Sequence, residues 1–477
     1  MNQIIIKDIN LGGISDSLYQ GQTNSVTEMV GFDIHSEPGI LKHNQKLTKE
    51  SDTMVDDLVK VILPCSDGNT YLFASTNGKI WKRTSAGVYS LEATVAPTGG
   101  ILDIMDAYEY QGYIYYSMTA WLGRVAVGSP TNWTTRNDSW EHFLSGDIAY
   151  HPMQEVNKVL YIGDNKYLAQ VDEGVFTGDA LDIATPLRIK SLGKILTDVL
   201  IGTFVSVYKV ATEIFRWNTW SESYSVSDEI PEIGINCFLK TDNFVLVNAG
   251  TKGNFYLYTG SQLENFKRIP GDWTGANEAY IHPNASCNMF GLPLFGLSKK
   301  SSISGNPAKQ GIYSLGGYDR NYPKVLNFEW FISTGNSSDI DIGAIELVGT
   351  VLLVSWKDAT GGTTFGIDKL DLTAKTTTAY FATRVINISR NDSKTLSGYV
   401  AYRSLPNDAS IKVWYKVNYE TTWQEANVTV DTIRKTVYVK EAFPEANTIQ
   451  IKIESNAATG ANVNNAPEIE LCELNFE

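Results

Sequence analysis

The side chains that could do chemistry are scattered along this sequence rather than gathered into a motif. Five histidines occur, His35, His43, His142, His151 and His282. None stands in an HExxH, HxH or Cys/His finger spacing, so no zinc site is expected. No GxSxG turn presents a nucleophilic serine, and no GxxxxGK[ST] loop presents a phosphate cradle. Asp164, Asp172, Asp179 and Asp182 lack the order of an EF-hand loop and read as solvated loop charges. A glycosidase would need two carboxylates projecting into one pocket, and acids are plentiful enough to supply them. The sialidase type would also carry a recurring Asp-box. The nearest strings, Ser66-Asp-Gly-Asn-Thr-Tyr71 and Ser75-Thr-Asn-Gly-Lys-Ile-Trp81, have the wrong register and do not recur. The expectation is a protein that is not an enzyme, with no catalytic, cofactor-binding or metal-binding residues and no cofactor.

Aromatic side chains give the better surface candidates. Trp217-Asn-Thr-Trp-Ser-Glu-Ser-Tyr224 places Trp217, Trp220 and Tyr224 around a turn. Such rings anchor protein interfaces or stack on sugars. Trp217 has the competing reading of a strand residue packed in the core, and Trp220, beyond the turn, is the better candidate for exposure. Trp121, Trp133 and Trp140 flank a second Gly/Asn-rich loop with the same ambiguity. Cys65, Cys237, Cys287 and Cys472 are widely separated, form no CxxC, and read as small buried hydrophobes.

Composition narrows the partners. Lys+Arg number 39 against 53 Asp+Glu, a net charge of −14. That excludes a duplex-coating protein with a basic stripe, and it disfavours an anionic membrane surface. No stretch approaches the roughly 20 apolar residues that span a bilayer. No secretory signal follows Ile4-Ile5-Ile6, so neither export nor a membrane anchor is expected. Hydrophobic residues make up 43% of the 477, enough for a sizeable core, and the 39 glycines against 15 prolines suit a β-rich chain.

The elements that must position these side chains are short strands between Gly, Asn and Asp turns. Only Asp52–Ile62 offers a helix-like stretch. A buried-looking run followed by a second, alternating strand recurs about every 45 residues. Its first inward apolar residues are Ile80, Val125, Leu168, Ile214, Phe255, Ile312 and Ile367. A period of that length holding about four strands is what a β-propeller blade requires. The fold expected is all-β: a propeller of six or seven blades, seven favoured, over residues 58–382. The gaps at Ser298–Gln310 and Ser355–Thr364 read as loop insertions. From 383 to 477 the runs lengthen and alternate, as in Ser410–Val417 and Thr448–Glu454, which predicts an antiparallel β-sandwich. Residues 1–57 form an N-terminal arm that could wrap a neighbour or supply the strand closing the propeller ring.

Three strings in that arm point outward: Asp8-Ile-Asn-Leu-Gly-Gly-Ile14, Glu28-Met-Val-Gly-Phe-Asp-Ile34 and Glu37-Pro-Gly-Ile-Leu41. With the layout of arm, propeller and sandwich, and the closing Pro467-Glu-Ile-Glu-Leu471, the chain resembles the tail nozzle or tail-hub propeller proteins of short-tailed bacteriophages. The resemblance implies a virion structural protein of the tail, made in the bacterial host cytoplasm. It implies a homo-oligomeric ring around the DNA path, in contact with other neck and tail proteins. DNA would pass without sequence-specific binding. It carries over no catalytic residue. The alternative, from another functional class, is a carbohydrate-binding or glycan-cleaving propeller used in host attachment.

Overall fold

The computed structural model describes residues 2–476 except 22–23, 51–54, 86, 96–102, 129–132, 134–141, 146–149, 206–210, 242–243, 272, 274–277, 301–308, 317–323, 389–394, 419, 444–445 and 460–463. The chain is all-β and propeller-like. Between residues 45 and 375 lie seven successive antiparallel sheets, six of them four-stranded. Their first strands are Val59–Pro64, Ile104–Tyr110, Met153–Val156, Leu187–Ile195, Ile235–Lys240, the interrupted pair Glu278–Tyr280 and Ser286–Met289, and Ile340–Val348. Each first strand packs against the first strand of the next sheet, and Ile340–Val348 returns to Val59–Pro64. The sheets therefore close on themselves.

The third strands carry the repeat. Ile80, Leu168, Ile214, Phe255, Ile312 and Ile367 are completely buried, and Val125 nearly so. A strand sandwiched between two neighbouring sheets has no solvent face, which is why these runs read as continuously apolar. Serines tie one sheet to the next near the axis. Ser117 Oγ donates to the His151 carbonyl (2.9 Å), Ser191 Oγ to Ile235 (3.1 Å), Ser298 Oγ to Ile342 (3.5 Å) and Ser355 Oγ to Val59.

Five of the first strands share one irregularity. Lys60, Met105, Lys190, Asn236 and Gly343 are each the extra residue of a β-bulge against the second strand. In the sixth sheet the strand is broken instead, at residues 281–285. A bulge re-aims a side chain and raises local twist, and five at one level give the axis a mouth with its own set of side chains.

The N-terminal segment supplies strands to three larger sheets and forms a two-stranded one of its own, Phe32–Asp33 with Lys42–His43. Gln45–Lys49 is the outer strand of the seventh sheet, pairing with Thr364–Lys375. Asn2–Ile6 pairs with Glu468–Phe476 at the edge of a five-stranded sheet, and Val26–Val30 pairs with Thr378–Thr383 at the edge of a six-stranded one. These two terminal sheets hold the strands 395–404, 410–417, 436–442, 448–456 and 468–476, and their alternating apolar faces share one core with the sixth and seventh sheets. The Gly12-Gly13 pair is needed at the arm's crossing. A Cβ on Gly12 would meet the Asn24 carbonyl oxygen at 2.3 Å, and Gly13 (φ 60°) lies against Leu326.

Two expectations are corrected. The repeat region was expected to run to residue 382, but Thr378–Thr383 pairs with Thr448–Asn456 and belongs to a terminal sheet. Its apolar residues are buried as a central strand there, which no Pro or Gly signals. The helix-like stretch Asp52–Ile62 lies partly outside the described residues, and Val59–Pro64 is a strand. The Asp57 carboxylate accepts from the amides of Leu58 (2.7 Å), Thr76 (2.7 Å) and Asn77 (3.1 Å). The single described helix is Ile9–Gly12.

Candidate functional site

The aromatic trio does not form one platform. Trp217 is buried, its Nε1 donating to the Ser221 carbonyl (2.8 Å) and its ring against Tyr161. Burial removes it from any direct contact, correcting its place among the candidates. Tyr224 is half-buried against Phe215, with ring centroids 4.4 Å apart. Trp220 alone projects, 87% exposed. Leu196, 81% exposed, lies nearby, because Asn157 Nδ2 donates to both the Thr197 carbonyl (2.8 Å) and Thr219 Oγ1 (3.2 Å). In the second cluster Trp133 is buried among Tyr71, Phe73 and Tyr116. Trp121 lies on Phe143, and Trp140 is outside the described residues.

A serine, a histidine and a carboxylate do meet, at Ser314, His35 and Glu329. His35 Nε2 lies 3.1 Å from Ser314 Oγ and 3.0 Å from Glu329 Oε1, and Ser314 Oγ also reaches that oxygen. A hydrolytic triad places serine and acid on opposite imidazole nitrogens, so a base can take the serine proton. Here both share one nitrogen, and Ser314 is fully buried. Burial opposes a charged His35, yet the Glu329 carboxylate outweighs it and raises the imidazole above its ordinary range. Asn327 and Asn44 complete the bonding of Glu329 (2.8 and 2.9 Å). This network ties the arm to the sixth sheet. Among the described residues no three His, Cys, Asp or Glu side chains converge as a metal-binding group. Of the four dispersed aspartates, Asp164 accepts from the Ser145 amide (2.7 Å) and Asp182 from Lys166 (2.9 Å). All four cysteines are free thiols, Cys287 being the least buried.

The site with the most concentrated chemistry is the mouth of the axis where the first strands begin. An opening of about 200 Å³ is lined by Lys60, Met105, Tyr150, Lys190, Tyr280 and His282, among others. Three of these are bulge residues. Lys190 is 8% exposed; its Nζ donates to Asn236 Oδ1 (2.7 Å) and stands 5.2 and 5.4 Å from the ring centroids of Tyr150 and Tyr280. Cation–π attraction of this kind offsets part of an ammonium's desolvation. Burial pushes the Lys190 ammonium down to about 8 and also lowers Lys60. Burial, then the charges of Lys60 and Lys190, press His282 to about 3, so its imidazole is neutral. The floor is Asp106, whose carboxylate accepts from Met153 N (2.7 Å), Ala107 N (2.9 Å) and Asn284 Nδ2 (3.0 Å). It joins three sheets across the axis, and burial raises it to about 6. Below lies a second cavity of about 260 Å³, bordered by Tyr108, Gln154, Phe238 and Glu346.

Sequence reading missed this mouth. The available signal was slight: Lys60 interrupts the apolar run Val59-Lys-Val-Ile62, and Lys190 follows Ile189 in a mixed stretch, Arg188-Ile-Lys-Ser191. Only the bulges reveal that such residues converge.

No helix of the described residues is long and apolar enough to cross a membrane. No protein-family model matches the chain, and no curated protein matches it in sequence. Solved structures similar to it include the extracellular domain of BT4673 from B. thetaiotaomicron (13% identity, TM-score 0.48, 83% of this chain and 48% of that one). The chain thus spans about half the length of that protein. U3-55K is similar over 69% of this chain and 98% of its own (10% identity, TM-score 0.47). The exo-β-1,3-galactanase of Phanerochaete chrysosporium is similar over 90% of this chain and all of its own (9% identity, TM-score 0.32). All three TM-scores lie below 0.5, and none of these likenesses assigns an activity.

Proposed function

We propose that this chain is a virion structural protein of a tailed bacteriophage, a tail nozzle or hub subunit that surrounds the DNA path, built as a seven-bladed propeller followed by a C-terminal sandwich. The observation that carries this reading is the lacing of the N-terminal segment. Residues 2–49 supply edge strands to both terminal sheets and the outer strand to the seventh sheet. The propeller cannot open, nor the sandwich swing away, without breaking β-pairings between residues more than 300 apart. Such a subunit holds its shape under load, as a part of a tail must when DNA passes under pressure. The net charge of −14 fits that passage, since like charge repels the phosphate backbone. Subunits would close as a homo-oligomeric ring. Mass spectrometry and labelled-antibody imaging of purified virions test the reading. The protein is expected at the tail, and its absence from virions refutes the proposal. A ring whose lumen is lined mostly by Lys and Arg refutes the charge argument separately.

The second reading, a carbohydrate-binding or glycan-cleaving propeller in host attachment, is favoured by Trp220, an indole 87% exposed beside Leu196. Glycan-array binding that disappears in Trp220→Ala supports it, and an array without signal rejects it.

A further inference from the structure

We propose that the axial mouth is a binding site for a small oxyanion, the carboxylate or phosphate group of a ligand no larger than a monosaccharide, held between the ammonium groups of Lys60 and Lys190. This inference is independent of the tail reading.

The two lysines belong to different sheets, the first and the fourth, and each is placed at the axis by a bulge. Among the described residues neither has a carboxylate within ion-pairing distance. Lys190 has one neutral hydrogen-bond partner, Asn236, and two tyrosine rings. Asp57 and Asp103 act on Lys60 only from a distance. Asp341, whose charge reaches Tyr280, does not line the opening and pairs with Lys357 at 3.9 Å. Asp106 is already bonded by two backbone amides and Asn284. Burying an ammonium without a counter-charge is costly, and replacing it by an apolar side chain is the cheaper way to fill a core. Lys190 is such an ammonium, and Lys60, half-buried on the same opening, adds a second positive charge; an anion that both can reach explains the pair. With burial drawing Lys190 only to about 8, it remains mostly protonated at pH 7 and keeps the charge that binding needs. Tyr150 and Tyr280 supply the flat apolar walls that a sugar ring or a short carbon chain would pack against. The opening of about 200 Å³ sets the size limit.

The test is isothermal titration of the full chain at pH 7 and constant ionic strength. Sodium D-glucuronate and sodium phosphate are the probes, and D-glucose is the neutral control. Saturable binding of either anion, without binding of glucose, is expected. Glucuronate alone would assign a carboxylate ligand, phosphate alone a phosphate ligand, and both a simple oxyanion site. Lys190→Met is expected to lose at least tenfold in affinity and Lys60→Met several-fold, whereas Lys412→Met, on a terminal sheet, keeps wild-type affinity. Lys190→Met removes a buried charge that has no counter-charge but leaves Asn236 Oδ1 without its donor, so its ligand-free melt is recorded beside wild type, and a cooperative transition above the titration temperature separates lost binding from lost folding. Absence of saturable binding by both anions overturns the proposal. So does wild-type affinity in Lys190→Met.

Discussion

The seventh sheet is held shut by a buried ion pair whose removal has a calculable cost. Glu50, directly after the outer strand Gln45–Lys49, receives Arg83 Nε on Oε2 (2.6 Å) and Arg83 Nη2 on Oε1 (2.8 Å), and Tyr89 O–H donates to Oε2 at 2.8 Å. The pair bridges the last sheet to the first, with side chains only 7% and 5% exposed. Breaking a buried pair from one side costs about 3–5 kcal/mol, because the other charge is left stranded. Glu50→Gln belongs at the upper end, since Arg83 would keep only the Thr84 carbonyl, at 3.4 Å, and a neutral amide. Arg83→Met belongs at the lower end, since Glu50 retains Tyr89 and Lys369 at 3.6 Å. Glu50→Leu with Arg83→Met should recover most of the loss, because no charge is stranded. The assay is native-state amide exchange of residues 45–50 and 368–371, which reports local opening of the closing strand. Loss of about 3–5 kcal/mol accelerates exchange there by roughly 150–5,000-fold (one factor of ten per about 1.4 kcal/mol). Acceleration below about fivefold in Glu50→Gln would refute the latch, as would additive effects in the double variant. Burial opposes ionisation of Glu50, but Arg83 and Tyr89 outweigh it and hold the carboxyl below its ordinary value. The latch is therefore complete above about pH 4.5 and fails as the pH falls through the lower folded value.

Four further outcomes are expected. Burial raises Glu346 to about 7, so its folded form binds a proton more tightly than the unfolded one, and stability is lost as pH rises from about 4.5 through 7. Glu346→Gln should raise stability at pH 8 by about 1–3 kcal/mol and leave it nearly unchanged at pH 4, read by thermal melts across a pH series. Burial lowers His43 to about 4, its ring nitrogens bonded to the Thr376 carbonyl (2.7 Å) and Ser455 Oγ (2.8 Å). Its contribution is complete above about pH 6.5 and lost toward pH 4, so His43→Asn should start less stable at pH 7 but show a flatter acid limb by near-ultraviolet circular dichroism. Trp220→Ala should change stability by less than about 0.5 kcal/mol in urea melts while removing any partner contact. Burial pushes the Cys237 and Cys287 thiols up to about 12, so a thiol-disulfide reagent at pH 8 should label them only after unfolding.

What could be read from the residues and what could not follow one physical rule. Third strands such as Asn254–Tyr258 are covered on both faces, so their burial is written in consecutive apolar residues that recur with the sheet. Ser410–Val417 and Thr448–Asn456 have one buried face each, and their alternation is equally plain. The arm left no such trace. Gln45–Lys49 buries chiefly Leu47, and its partner strand begins 315 residues later, a pairing that no local pattern encodes. The mouth at Lys60 and Lys190 was hidden for a related reason. A bulge is one residue of extra length against a partner strand, visible only once the pairing is known.

The division of the N-terminal segment among three larger sheets also sets an order of events in synthesis. Val26–Val30 leaves the ribosome with Met29 and Val30 uncovered, and it stays so until Thr378–Thr383 exists to pair with it. Ile6 must wait longer still, for Cys472 at the far end of the chain. Residues 2–6 are made before the other described strands, and their partner is made after all of them. Contacts of such sequence separation are slow to form, and an unpaired apolar edge is a site of misassociation while it waits. Early strands can add sheet by sheet as they emerge, but the edge pairings of the arm wait until residues 378–383 and 468–476 have been made. A truncated product would present its arm to other chains.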